Sequence, residues 1–217
     1  MKIKPALFAA AALAVFVTAM PAHADIMFEL KNDPQPNEEN ILLGSGTTGT
    51  LLTGTTNQSG LIVNFSSSQN LAEPSSGQAR VSASPEGTPL TNLSIALASG
   101  QTYNDLIINP FIGGCQNCAG GSSTITVHAL DSHGNPEPLA SLVFTAANGN
   151  NFVTIFATNG ESILSTDISV PGGFNDLRQP RISGPFTAVP EPASLMLLGG
   201  GLLGLAGAIR RKIMRVS

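Results

Sequence analysis

Hydrophobic and polar residues follow three different patterns along the 217-residue chain. Uncharged, apolar runs occupy Ala6 to Met20 and Ala193 to Ile209, while between them short β-prone stretches alternate with clusters of Gly, Pro and Asn. In Thr124-Ile125-Thr126-Val127-His128-Ala129 every second residue is apolar. A strand with that period puts Ile125, Val127 and Ala129 on one face and Thr124, Thr126 and His128 on the other. From Phe152 to Thr158 both faces are partly apolar, the pattern of a strand covered on both sides.

The same reading predicts strands at Met27 to Leu30, Ile41 to Leu43, Thr50 to Thr53, Leu61 to Ser66, Ala79 to Ala83, Leu93 to Leu97 and Asp105 to Asn109. Further strands are predicted at Ser123 to Leu130, Ala140 to Thr145, Phe152 to Thr158, Ser162 to Val170 and Leu177 to Ile182. No helical period competes in this part of the chain. Many short strands with turn signals between them predict an all-β fold, an antiparallel sandwich resembling a jelly roll. Asn148-Gly149 and Asn159-Gly160 readily adopt the positive φ of a type I′ turn, so Leu142 to Val170 is expected to form a three-stranded meander.

The two apolar ends read as targeting segments. Lys2 and Lys4 precede the first run and Ala22-His23-Ala24 follows it, the layout of a signal peptide (residues 1–24) cut between Ala24 and Asp25. Residues 25–183 then form the exported part and 184–189 a short extended linker. The second run, as a helix rising about 1.5 Å per residue, reaches about 25 Å and just spans a hydrocarbon core. Pro192 suits its first turn, where no amide partner is lost. Gly200, Gly204 and Ala208 form a small-residue stripe on which another membrane helix can pack. Arg210, Arg211, Lys212 and Arg215 follow the run and keep that end on the cytoplasmic side, leaving the rest of the chain outside.

Pro190-Glu191-Pro192, the Gly/Leu-rich helix of residues 193–209 and the Arg210-Arg211-Lys212 end together resemble the PEP-CTERM sorting signal of Gram-negative bacteria that make exopolysaccharide. The resemblance is confined to residues 190–217. It implies recognition by exosortase, an integral-membrane cysteine transpeptidase that cuts near the Pro-Glu-Pro and releases or re-anchors the exported part. The route runs from the inner membrane, with the domain in the periplasm, to the cell surface or beyond. Signal peptidase, exosortase, the inner membrane and exopolysaccharide are the partners this implies. It does not say what the cargo does.

Between the two targeting segments the chain keeps only Lys31, Arg80, Arg178 and Arg181 against 13 acidic residues, a charge of −9. Such a chain repels phosphate backbones and has no basic stripe, which argues against nucleic acid as a partner. Arg178 and Arg181 read as a solvated strand edge or as partners of nearby acids. Cys115 and Cys118 are the only cysteines, and in an oxidising compartment a disulfide is their default state, pinning the Gly-rich loop from Gly113 to Gly121. His128 and His133 are too few to complete a zinc site with them.

No catalytic constellation is legible. Ser132-His133 lies in a turn, there is no G-x-S-x-G nucleophile elbow, and neighbours on a turn seldom face each other. Calcium is a more natural ligand for Asp131 or for Asp33, Glu38 and Glu39, although their spacing fits no EF-hand. Thr47, Thr48, Thr50, Thr53, Thr55 and Thr56 would make a hydroxyl surface on a regular ladder, but they show no repeat, and strand propensity explains them. The chain has no Trp and one Tyr, Tyr103, so the broad aromatic platforms that stack sugars are missing. The expectation is a non-enzymatic exported protein without a cofactor or metal, with a glycan- or calcium-binding module as the alternative.

Overall fold

The computed structural model describes residues 26–75 and 79–183. The targeting segments and the linker lie outside the described residues. Within them no helix is long and apolar enough to cross a membrane. The described residues are all-β, broken among them by a single 3-10 turn at Ala98–Gly100. Its strands are β1 (Ile26–Glu29), β2 (Glu38–Leu42), β3 (Thr48–Thr56), β4 (Ile62–Ala72), β5 (Arg80–Ala83) and β6 (Leu90–Leu97). They continue with β7 (Asp105–Phe111), β8 (Gly121–Leu130), β9 (Ala140–Ala146), β10 (Val153–Ala157), β11 (Ser162–Phe174) and β12 (Asp176–Ser183). Each overlaps a predicted strand, although β2 starts earlier, at Glu38, and β4 and β11 run on to Ala72 and Phe174.

All pairings are antiparallel, in the order β1-β10-β7-β12-β2-β3-β4-β6-β11-β8-β9, with β5 bridging β12 and β4. On β12, Asp176 to Arg178 pair with β5 and Arg181 to Ser183 with β2, so β12, β2, β3, β4 and β5 close a ring. Two arms leave it. One continues from β12 through β7 and β10 to β1, the other from β4 through β6, β11 and β8 to β9. One hydrophobic cluster takes Leu106, Ile108 and Ile155 from the first arm and Ile125, Val127 and Ile168 from the second, so the arms face each other across a shared core.

Residue pattern explains the faces. On β8, Ser123, Ile125, Val127 and Ala129 are buried while Thr124, Thr126 and His128 point outward, as the alternation requires. On β10, Val153 and Ile155 join the core, and Thr154 on the opposite face is also fully buried. The chain just after β1 covers it: Thr154 Oγ1 donates to the Lys31 carbonyl (2.8 Å) and accepts from the Asp33 amide (3.1 Å).

The expected meander does not form. β9 pairs only with β8, β10 with β1 and β7, and β11 with β6 and β8. Turn chemistry at Asn159-Gly160 is as anticipated, with φ of 55° and 87°, but this corner carries the chain from one arm to the other. At Asn148-Gly149 only Gly149 has positive φ, and it bridges to Ile112 instead of closing a hairpin. A turn's dihedrals are fixed locally, whereas strand partners are fixed by which faces must be buried. From β6 onward the chain changes arm at every connection except β8 to β9.

The threonines of β3 do not form one flat array. Thr53 and Thr55 are exposed, while Thr56 is 3% exposed and accepts from the Leu61 amide at 2.9 Å.

Candidate functional site

The outward face of the second arm carries a groove. Its register sets polar residues side by side: Ser66 opposite Ser94, Ser94 opposite Asp167, and Asp167 opposite Thr126 form one row. Asn92, Ser169 and Thr124 form the next. These side chains, with Ser67 and Ser68, line a depression of about 400 Å³ that crosses β4, β6, β11 and β8.

Two irregularities make this a groove instead of a flat face. Between Leu51 and Gly49, two steps along β3, the partner strand β4 takes five steps from Ser66 to Leu71. Between Asn92 and Leu90, two steps along β6, β11 takes five from Ser169 to Phe174. Both neighbours of β6 therefore bulge at the level of its first residues, and bulges re-aim side chains and bend strands. The β4–β6 ladder stops at Ser66–Ser94, and side chains span the gap beyond it. Asn92 Oδ1 accepts from the Ser67 hydroxyl and the Ser68 amide, both at 3.0 Å. Gln69 Oε1 accepts from the Thr91 amide at 2.7 Å and its Nε2 donates to the Pro89 carbonyl at 2.9 Å. Asp167 lines the groove and is paired with His128, Nε2 to Oδ2 at 3.0 Å.

The lining offers hydroxyl, carboxamide and carboxylate groups. Glycoside hydrolysis needs two carboxyl groups flanking the scissile bond, and Asp167 is the one carboxylate in the lining. Ser132 and His133 do face each other, Oγ to Nδ1 at 3.3 Å, contrary to expectation for turn neighbours. They sit on an exposed turn, and Asp131 approaches the same His133 nitrogen, at 3.8 Å, so it does not orient the ring from the far side as a triad's third member does.

A second constellation lies on the outward face of the first arm. Asp176 is fully buried and takes Arg178 Nε on Oδ1 at 2.6 Å and Arg80 Nε on Oδ2 at 2.9 Å. The Arg178 guanidinium lies over the Phe111 ring, 3.4 Å from its centroid. Of the two arginines expected to be solvated or acid-paired, Arg178 takes this carboxylate, and Arg181 faces Glu38, Nη1 to Oε2 at 3.6 Å. The loop after Phe111 leads into the Cys115–Cys118 pair, which the structure joins with Cα atoms 5.7 Å apart. Its far end is tied down by the Ala119 amide on the Gly172 carbonyl at 2.8 Å. The cysteines thus brace one loop and staple no distant strands.

Three of the four carboxylates singled out for calcium, Asp131, Asp33 and Glu39, are engaged by other groups. Asp131 Oδ1 accepts the His133 and Asn135 amides, both at 2.8 Å, and its Oδ2 the Asn135 side-chain amide at 3.0 Å. These bonds, Asn135's foremost, hold it below the usual carboxylate range. Asp33 is held low chiefly by Lys31, 3.2 Å away. Burial pushes Glu39 upward, but the Ser59 and Gln58 amides on its Oε2, at 2.7 and 2.9 Å, outweigh it and leave the group low. Glu38 is raised by burial, and Asp105, 5% exposed, is pushed up to about 6 by burial against its hydrogen bonds from Ser183. Among the described residues no three His, Cys, Asp or Glu side chains gather as a metal site.

Sequence reading missed the groove, because it depends on register across strands distant in the chain. Its one local trace is Ser66-Ser67-Ser68, a polar run interrupting an otherwise alternating strand.

Residues 188–212 match the PEP-CTERM protein-sorting motif. No curated protein sequence is similar to the chain. Among solved structures, a mutant of CBM29-2, made to probe ligand recognition by family 29 carbohydrate-binding modules, is 13% identical. It aligns over 75% of this chain and 89% of its own, with a TM-score of 0.24. A second structure, titled as a family 29 carbohydrate-binding module, is 14% identical over 75% and 86%, with a TM-score of 0.25. Similarity at that level carries no argument about fold or ligand.

Proposed function

We propose that this chain, which carries a PEP-CTERM sorting motif, is a non-enzymatic protein of the cell surface or extracellular matrix, delivered by an exosortase. The motif at residues 188–212 is the observation that carries the reading. It implies export and membrane-associated sorting, with exosortase as the processing partner. In this scheme signal peptidase removes residues 1–24 at Ala22-His23-Ala24, and residues 25–183 fold outside the cytoplasm. The linker 184–189 leads to the tail, 190–217, whose helix at 193–209 stays in the inner membrane. Arg210, Arg211 and Lys212 hold its cytoplasmic end until the transpeptidase cuts near Pro190-Glu191-Pro192. The cargo then reaches the surface or the medium.

The cargo is a jelly-roll sandwich. Supporting this, the runs β10-β7-β12-β5 and β9-β8-β11-β6 of the ladder face each other over one core, with every connection from β5 to β12 except β8 to β9 crossing between them. A disulfide between Cys115 and Cys118 suits the oxidising side of the membrane. The absence of enzymatic activity is supported by the single carboxylate of the groove and by the exposed, incompletely oriented Ser132-His133 pair.

The test is fractionation. In cells with the sorting enzyme the cargo should be found at the surface or in the medium, and in cells lacking it an uncut species should accumulate in the inner membrane. Identical distributions in the two strains would sink the reading.

A second reading, a ligand-binding module delivered by this route, is favoured by the groove across β4, β6, β11 and β8, which is lined with hydroxyl, carboxamide and carboxylate groups.

A further inference from the structure

Resting on that second reading, we infer that the groove binds an uncharged polysaccharide strand laid across the four β-strands. Three inter-strand steps make the groove about 14 Å long, and same-face residues two apart on a strand set its two polar rows about 7 Å apart. The rows, Ser66-Ser94-Asp167-Thr126 and Asn92-Ser169-Thr124, offer donors and acceptors along both edges of a ribbon-shaped ligand. A sugar chain, with hydroxyls on both edges and C–H groups on its faces, has that shape and chemistry.

The hydroxyl groups are available. Ser66, Ser94, Thr124, Thr126 and Ser169 make no side-chain hydrogen bond within the described residues. Asn92 and Asp167, in contrast, are held by Ser67, Ser68 and His128 and form fixed points. A solvent face rich in Ser and Thr is ordinary for a sandwich, but such a face is flat. Here the bulges on β4 and β11 shape it.

Apolar side chains mark both ends of the rows. Leu51, 57% exposed, sits opposite Ser66 on β3, and Val143, 66% exposed, sits opposite Thr124 on β9. They supply the contact with sugar C–H faces that the missing tryptophans would otherwise give. Charge selects the class. The lining has one charged group, the Asp167 carboxylate, and the chain between the targeting segments carries −9, so an acidic polymer meets repulsion locally and globally.

The test is affinity electrophoresis of the full chain in detergent, on native gels containing galactomannan, xyloglucan or dextran, or the acidic alginate or polygalacturonate. At least one neutral polymer should retard the protein, with neither acidic polymer doing so. Ser94→Trp, which fills the middle of the groove, should weaken the retardation at least tenfold, and Ser169→Tyr should do the same from the exposed row should the first variant fold poorly. Gln116→Ala, on the exposed disulfide loop, should bind as wild type. Absence of retardation by all three neutral polymers overturns the inference. Retardation by acidic polymers alone, lost in the groove variants, keeps the site and overturns the ligand class. Neutral binding that survives both groove variants keeps the ligand class and overturns the site. The sorting reading is untouched by each result, since it is judged by localisation.

Discussion

Arg178 and Asp176 are two residues apart on β12 and therefore share a face, where two hydrogen bonds join them: Nε to Oδ1 at 2.6 Å and Nη2 to Oδ2 at 3.3 Å. Arg80 reaches the same carboxylate from β5. Asp176 is inaccessible to solvent, whereas the two arginine side chains are 38% and 29% exposed, so a buried charge is compensated by two cations that keep part of their hydration.

Removing that carboxylate should be costly. Asp176→Asn leaves two guanidinium groups without their shared negative charge and turns one of its two acceptor oxygens into a donor, and is expected to lower unfolding free energy by about 3 kcal/mol or more. Glu86, 69% exposed, also pairs with Arg80, and Glu86→Gln should change stability by less than about 1 kcal/mol. Urea denaturation of the two variants gives the comparison, and equal effects would contradict this account of β5 and β12.

Stability should decline between about pH 4 and pH 6. Burial raises the folded-state pKa of Asp105 to about 6 from its ordinary value of 3.8, with the Glu38 charge adding to the upward push against the Ser183 bonds. In that window Asp105 holds its proton more firmly in the folded than in the unfolded chain, so at this site raising the pH favours unfolding. Glu38, itself raised by burial and facing Arg181, acts in the same direction. Glu39 and Glu73, held low by hydrogen bonds, act with the opposite sign, and their contribution is lost as pH falls below their unfolded values near 4.5. Melting temperatures measured across this range should fall for the wild type and flatten for Asp105→Asn.

Close backbone packing at the disulfide loop gives a third expectation. A Cβ on Gly172 would collide with the Gly120 carbonyl, in a contact where neither side is a movable side chain. Gly172→Ala should therefore cost about 1–3 kcal/mol. Gly87 has a φ of 86° but nothing within 4 Å, so Gly87→Ala carries only the backbone strain and should cost about 1 kcal/mol. Thermal unfolding of the pair separates steric from conformational cost.

How much of this was legible in the chain follows from what each feature depends on. The strands were legible because burial leaves a period of two, as on β8, where Ile125 and Val127 alternate with Thr124 and Thr126. The corner at Asn159-Gly160 was legible because positive φ is a local property, but its role was not: β10 and β11 lie in different arms, and nothing near those residues encodes that. Acid pairing of Arg178 was foreseeable from Asp176 two residues away, whereas the part of Arg80 in it was hidden by a separation of 96 positions along the chain. The groove was the least legible feature. It exists because β4 and β11, far apart in sequence, bulge on either side of β6.

Delivery by exosortase stands or falls most directly on the ends of the mature protein. Mass spectrometry of material recovered from the cell surface or medium should find a chain that begins at Asp25 and stops near Pro190-Glu191-Pro192, without the apolar run or Arg210-Arg211-Lys212. Recovery of a chain still running from Met1 to Ser217 would contradict the account.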